Sequence, residues 1–462
     1  MKHILFRVGH ERKIFFYSIF VTGIYILAYI LSGKASHSLS DTASDSYAPL
    51  AVSLYEHGTF TLSTSSPYLL EATHVPGYPF FLALFAAPWG SVVPALLLQA
   101  LLFAICGVLL YRLFENVFSD RVRFFGALLF VIEPYTAFTV AQPLSEALFL
   151  FLFISGLYVG RRALERNAAW LFFLATVLFS TAIMTRPILL YLLPCVVLIV
   201  VFFVYRESPK RALHVLLASI FGVFIMLTPW AYRNHEAFGV WALSTKGAYT
   251  LYFYDVALLL QYRDGISASE ANAQLFSRAQ IEYPEVHTTD DLRSPQYAAY
   301  MTKESIGIIR TAPAQFVKLY AASLVTFFLS DGYRLLWYEF SGGAISLPNI
   351  TKAVVTGHVD VLVAYVREHF VQAILLLSGF MFWSSICVLS CVTVASTWMQ
   401  RSRVRFVVFA CVLAVVYFAV ITGPVAQARY RIVATPFLFM LAVAGASILR
   451  ERIVRYIQSH EL

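Results

Sequence analysis

The sequence predicts an all-α polytopic membrane protein, a bundle of about 10–12 transmembrane helices with amphipathic helices in large extracytoplasmic loops. Three observations predict it. Of 462 residues, 59% are apolar and only 13% are charged, where a soluble domain carries roughly 25% charged residues. So few charges cannot cover the water-facing surface of a chain this long. Apolar stretches of about 18–25 residues recur, and about 20 helical residues cross a bilayer core. The basic residues, finally, sort by segment instead of forming one stripe.

Taken in order, the candidate spans are Ile14–Leu31, Val92–Leu113, Phe124–Val140, Leu144–Gly160, Ala169–Thr185, Ile188–Tyr205, Leu213–Trp230, Val371–Trp398, Arg405–Thr422 and Ile432–Leu449. The basic stretch before the first span has no small-residue cleavage site after its apolar run, so it reads as a cytoplasmic leader into a retained helix. Ten crossings put both termini in the cytoplasm. The segments then cytoplasmic (the N-terminus, 112–123, 161–168, 206–212, 400–405 and the tail after 449) hold 19 Lys/Arg against 7 Asp/Glu; the remainder holds 15 against 19. Clusters such as Arg161, Arg162 and Arg166, or Arg401, Arg403 and Arg405, follow the positive-inside bias. The net charge of +8 therefore orients the protein and does not mark a nucleic-acid surface. The five cysteines, Cys106, Cys195, Cys387, Cys391 and Cys411, lie in apolar runs and read as small hydrophobes.

This layout divides the chain into an N-terminal transmembrane module (1–230) with a long first outer loop (33–91), an extracytoplasmic region with interfacial helices (231–370), and C-terminal transmembrane helices (371–462). Pro313–Leu329 is read as interfacial or re-entrant, because a crossing there would carry Arg401–Arg405 outside unless a second crossing occurred near 352–366.

The chemistry-bearing residues gather on the far side. Asp45 precedes a short amphipathic helix expected over Tyr47–Tyr55, where a carboxylate can cap the helix or act as a general base at the membrane surface. Asp41 nearby reads as solvated. His74 precedes a Pro-Gly-Tyr-Pro turn (Pro76–Pro79) whose rings fix the backbone and aim the flanking side chains. Glu133 and Glu146 stand at the outer ends of the third and fourth spans, where a carboxylate is costly and usually paired or functional; the plain alternative for Glu133 is a carboxylate reaching to the interface, and for Glu146 a helix cap. Arg186, Arg233, Arg429 and Arg431 are arginines on the side where positive charge is disfavoured. A lipid phosphate would explain the set through bidentate, charge-assisted bonds; pairing with Glu133 or Glu146 is the competing account. Phosphate-loop, dinucleotide, Gly-x-Ser-x-Gly, HExxH and CxxC patterns do not occur, which argues against a soluble nucleotide donor.

In order, these motifs resemble the GT-C superfamily of membrane glycosyltransferases, in its branch related to bacterial protein O-mannosyltransferases and aminoarabinose transferases. The likeness runs through Asp-x-Tyr (Asp45, Tyr47), His-x-Pro-Gly-Tyr-Pro (His74–Pro79), Pro134 with Leu-Ser-Glu (Glu146), Thr-Arg-Pro (Arg186), Pro-Trp-x-x-Arg-Asn (Pro229–Asn234) and Ala-Arg-Tyr-Arg (Ala428–Arg431). Two departures stand out. The second acidic residue of the first loop is absent or displaced to Asp41, and His74 stands where several relatives carry Lys or Arg.

The resemblance implies a GT-C-like bundle and an inverting glycosyltransferase. A sugar would pass from a polyprenyl-phosphate donor to a lipid, glycan or protein acceptor outside the cytoplasm, in a bacterial inner membrane. Asp45 would be the catalytic carboxylate. Arg429 and Arg431, with Arg186, Arg233 or His74, would hold the donor phosphate, and Glu146, Tyr47 and Tyr430 would position substrate. No cofactor is required; Asp45 and Glu146 offer only two oxygen ligands, a thin set for a divalent cation. The rival classes are a lipid-linked-glycan transporter or flippase, which would place charge near the bilayer midplane, and an O-antigen ligase or polymerase, which the early aspartate fits less well.

Overall fold

The computed structural model describes residues 9–34, 39, 45–64, 66, 68–330, 332–341, 359–398 and 403–460. Asp41 and Arg401 lie outside the described residues. The regular structure described is helical, apart from one antiparallel bridge between Thr61 and Leu70. The fold is therefore the all-α polytopic class that the composition predicts.

Among the described residues six helices are long and apolar enough to cross a membrane: Gly9–Leu31, Val93–Leu113, Glu146–Arg166, Pro209–Phe238, Phe370–Trp398 and Val404–Ile421. Two bent pairs, Asp120–Ile132 with Pro134–Val140 (58°) and Pro295–Thr311 with Pro313–Leu329 (102°), make eight if each is one span. The larger sequence expectation also counted Ala169–Thr185, Ile188–Tyr205 and Ile432–Leu449. These regions fold as helices of 17 residues (Ala169–Thr185), 16 residues (Leu192–Glu207) and 26 residues (Thr435–His460). Seventeen residues at about 1.5 Å each reach about 26 Å, slightly short of a hydrocarbon core.

Both bends have local causes. Pro134 cannot donate to the preceding turn, and the Glu133 carboxylate takes over by accepting from Tyr135 N at 3.2 Å and Thr136 N at 2.7 Å. Glu133 is thus a buried cap, not a carboxylate reaching toward the interface. Pro313 likewise opens its helix after Ala312 leaves helical geometry at ψ 53°.

The helices bury one face and expose an apolar one. On Pro209–Phe238 the exposed residues Leu213, Leu217, Ile220 and Phe224 recur at helical spacing. On Gly9–Leu31, Phe16, Phe20 and Leu27 do the same. Such stripes would be unfavourable in water and suit lipid. Inside, Phe103, Phe130, Phe149, Phe153, Trp383 and Phe439 belong to one core cluster. Packing there leans on small residues and hydroxyls: Thr393 Oγ1 donates to Leu441 O at 2.6 Å, linking Phe370–Trp398 to Thr435–His460. A second cluster, with Tyr29, Tyr47, Tyr78 and Leu96, lies beneath the first loop. A third, with Tyr252, Leu275, Tyr297 and Leu319, gives the 246–319 region its own core.

Candidate active site

The first loop is held from two directions. Thr245 N donates to Ala72 O at 3.0 Å, Thr73 Oγ1 donates to Arg293 O at 3.2 Å, and Ser244 Oγ donates to Thr73 O. Residues 244–246 and 293, remote in sequence, therefore clamp residues 72–73. From the other side Gly77 packs against the end of Ala169–Thr185. A Cβ there would stand 2.6 Å from Met184 O and 2.9 Å from Thr185 Oγ1, so only glycine permits this approach. The expected Pro-Gly-Tyr-Pro turn is the opening of helix Gly77–Phe85, with Pro76 as its N-cap. Tyr78, fully buried, donates to Gln99 Oε1 at 2.6 Å, and Gln99 Nε2 donates to Val140 O at 2.8 Å and Gln142 O at 2.9 Å. This satisfied buried network ties the loop to the helices below.

Glu146 begins helix Glu146–Arg166 and is completely buried. It does not cap that helix; its carboxylate faces two arginines. Arg186, the extended residue ending Ala169–Thr185, forms an ion pair with Oε1. Arg429 donates from Nε to the same oxygen and from Nη2 to Oε2 at 3.4 Å. Arg429 Nη1 then donates to Asp45 Oδ2 at 2.7 Å. Residues from the first loop, the start of one helix, the end of another and the turn before the last helix are joined in one chain of ion pairs, Asp45–Arg429–Glu146–Arg186. Burial opposes the charge of Arg429, but Glu146 and Asp45 outweigh it and hold its pKa above the ordinary arginine value.

Asp45 itself is exposed and has a left-handed backbone, φ 52°, followed by Ser46 at φ 68°. Two consecutive non-glycine residues in this region cost roughly 1–2 kcal/mol each. The helix after them runs Tyr47–His57 with Ser46 as N-cap and no side-chain cap bond. The capping account of Asp45 thus gives way: its carboxylate turns toward Arg429.

The remaining candidates divide. Tyr47 is buried, 3.5 Å by its hydroxyl from Ser145 Oγ, with its ring edge-on to Tyr78 (5.0 Å) and His74 (5.6 Å). His74 is buried and engaged by Glu71, Nδ1 to Oε1 being 2.9 Å and its backbone N 3.1 Å from both carboxylate oxygens. Arg233 donates to Glu71 O at 2.7 Å and Asn234 Oδ1 at 2.8 Å, and lies 4.8 Å over Trp230, so it braces the loop. Tyr430 packs against the main core. Arg431 is 1% exposed, donating to Phe327 O at 2.8 Å and Ser330 O at 2.6 Å with its guanidinium 3.6 Å over Trp383. Burial pushes its pKa down to about 10. The structure commits Arg233 and Arg431 to backbone carbonyls and aromatic rings, not to the Asp45–Arg429 cluster.

One residue of this cluster carries no motif. Lys246, placed by the clamp at Ser244 and Thr245, lies within electrostatic reach of Asp45, Arg186, Arg429 and Glu71. It is solvent-exposed, yet enough protein surrounds its ammonium for burial to lower its pKa, the carboxylates pulling upward and the arginines downward. A sequence signal for it is missing, since a lone lysine in a polar loop resembles any other. Among the described residues no group of three or more His, Cys, Asp or Glu is placed to hold a metal ion.

Residues 73–232 match the profile of a family described as dolichyl-phosphate-mannose-protein mannosyltransferase. No curated protein matches the chain. The matched third of the chain contains His74, Glu146 and Arg186, while Asp45 and Arg429 fall outside it. Joined to the membrane-spanning helical architecture, the match supports a GT-C-type membrane glycosyltransferase.

Proposed function

We propose that the protein is an inverting glycosyltransferase that moves a sugar from a polyprenyl-phosphate donor to a hydroxyl-bearing acceptor on the extracytoplasmic face of a bacterial inner membrane. The observation that carries this reading is the contact of Asp45 with Arg429, 2.7 Å apart, on an arginine already anchored by buried Glu146. A base and a phosphate-binding cation adjoin there, with the base exposed and the anchor inaccessible.

The donor phosphate competes with Asp45 for Arg429 Nη1. Docking of the phosphate therefore releases the carboxylate beside the anomeric carbon, where it accepts the proton of the incoming acceptor hydroxyl. The acceptor oxygen forms its bond to the anomeric carbon as the carbon–oxygen bond to phosphate breaks, and that electron pair goes to the phosphate oxygen. Attack opposite the leaving group inverts the centre. Arg429 and Arg186 stabilise the charge gathering on the phosphate. Glu146, bound to both, keeps them aligned. Tyr47 supports this floor through Ser145 and His74. Arg233 and Arg431 support the loop and the core. The name of the matched family favours a lipid-linked sugar donor and a glycan or protein acceptor.

The test is an assay of purified protein with a panel of radiolabelled polyprenyl-phosphate sugars. Wild type is expected to transfer or hydrolyse at least one, and Asp45→Asn to be slower by about 10²–10⁴-fold while folding normally. Full activity of Asp45→Asn would remove the base from the mechanism.

A further inference from the structure

The cluster holds three cations, Arg186, Arg429 and Lys246, and three carboxylates, Glu146, Asp45 and Glu71, but not every cation has a carboxylate partner. Arg186 and Arg429 are matched by Glu146 and Asp45. Glu71 is occupied by the backbone and ring nitrogens of His74. Lys246 is within electrostatic reach of Asp45, Glu71, Arg186 and Arg429 but forms no ion pair with any described residue. It is nevertheless not a free-swinging surface lysine. Its backbone N donates to Ser244 Oγ at 3.1 Å, Ser244 Oγ donates to Thr73 O, and Thr245 N donates to Ala72 O at 3.0 Å. The bonds of Ser244 and Thr245, the two residues before it, are made to the same loop that carries Glu71 and His74.

We propose that Lys246 is a further cation that binds the donor phosphate, beside Arg429 and Arg186. This rests on the donor reading above and assigns a role to the one cation of that site that has no ion-pair partner among the described residues. A sugar-linked polyprenyl phosphate is a phosphodiester with one negative charge, which an unpaired ammonium can bind directly. When the glycosidic bond breaks, the electron pair moves to the phosphate oxygen and the monoester left behind carries more charge. A flexible ammonium with three donors follows that change without disturbing the two arginines locked on Glu146. The positions of Arg233 and Arg431, bound to backbone carbonyls, leave them unsuited to this task.

The test uses full-length protein in nanodiscs, a short-chain polyprenyl monophosphate as probe and the corresponding unphosphorylated alcohol as control. Lys246→Gln is expected to weaken binding of the monophosphate about tenfold or more, the scale of one charge-assisted bond, with the alcohol unaffected and Lys246→Arg restoring the affinity. A second readout follows from the lowered pKa of Lys246 beside Asp45, Glu71, Arg186 and Arg429. Wild-type affinity should fall as the pH rises into the alkaline range, and Lys246→Arg should abolish that fall. Unchanged monophosphate affinity in Lys246→Gln, with loss in Arg429→Ala, would overturn the assignment to Lys246 while leaving the donor class standing. A wild type that binds monophosphate no better than the alcohol would overturn the donor reading and this inference together.

Discussion

At one end of the bundle Arg112 grips Glu11, with Nε 2.9 Å from Oε1 and Nη2 2.8 Å from Oε2. At the opposite end, where helix Glu146–Arg166 begins, Arg429 is divided between Glu146 and Asp45. The first pair joins two regular helices, Gly9–Leu31 and Val93–Leu113, and Arg161 closes over it by donating to Arg112 O at 3.0 Å and Leu113 O at 2.6 Å. Neither partner sits on strained backbone. In the second cluster one carboxylate is buried on a helix and the other is exposed on left-handed backbone, with an unpaired lysine alongside. A closed bidentate pair between helices is what helix packing needs. An ion pair with one strained, accessible member and an unpaired cation beside it is a poor way to hold helices together and a suitable way to await an anion.

The largest expected effects test that contrast directly. Removing one partner of a buried ion pair costs about 3–5 kcal/mol, so Glu11→Gln and Glu146→Gln are both expected to lower the melting temperature. They should part company in kinetics. Glu11→Gln is expected to keep the wild-type kcat in the folded fraction, whereas Glu146→Gln lets Arg186 and Arg429 drift and lowers kcat by about 10²-fold, the scale of losing one preorganised electrostatic contact. Equal kcat in the two variants would make the two ends equivalent and break the comparison.

A smaller effect concerns the segment leading into Arg429. Asp255 lies on the π-helical turn Leu251–Val256, buried, with Oδ1 unbonded. A Cβ at Gly423, which has φ +76°, would stand 3.4 Å from its Oδ2. Burial raises its pKa from 3.8 to about 7. The folded state therefore binds the proton more tightly than the unfolded chain. Its stability contribution is complete below about pH 4 and is lost as pH rises through about 7. Asp255→Asn is expected to match wild type near pH 4 and to be more stable at pH 8 by on the order of 4 kcal/mol, measured by thermal unfolding at both values. The same gain at both pH values would show that the carboxylate does not titrate there.

How far such features are legible depends on their physics. The apolar stretches announce themselves because lipid demands about 20 residues of one character, and Glu146 and Arg186 stand out because charge next to hydrocarbon is rare. Arg429 and Arg431 cannot be separated in the sequence. Two positions on a helix lie about 200° apart, so on the short helix Ala428–Arg431 one side chain faces Asp45 and the other enters the core under Trp383. That choice of face is made by packing with Phe327 and Ser330, about a hundred residues away. Lys246 is less legible still. Its place comes from hydrogen bonds to Ala72 and Thr73, and no periodicity or turn signal predicts a contact at that separation.

The smallest expected effect tests whether the open end depends on fit as well as on charge. Gly77→Ala puts a methyl carbon into Met184 O and Thr185 Oγ1, at 2.6 and 2.9 Å. The backbone must separate, at a cost of about 1–3 kcal/mol. Because Arg186 follows Thr185 directly and His74 lies three residues before Gly77, the separation pulls the Arg186–Glu146 pair away from the loop. A modest fall in melting temperature should therefore come with weaker donor binding and a raised KM. An alanine of similar tightness at the other end, Gly126→Ala, meets Met440 Sδ at 2.6 Å and serves as the control. Methionine can swing aside, and no substrate-binding group is attached to it, so its KM should stay at the wild-type value. If Gly126→Ala raised KM as much as Gly77→Ala, the two ends would be mechanically coupled and the separation of a structural end from a reactive one would fail.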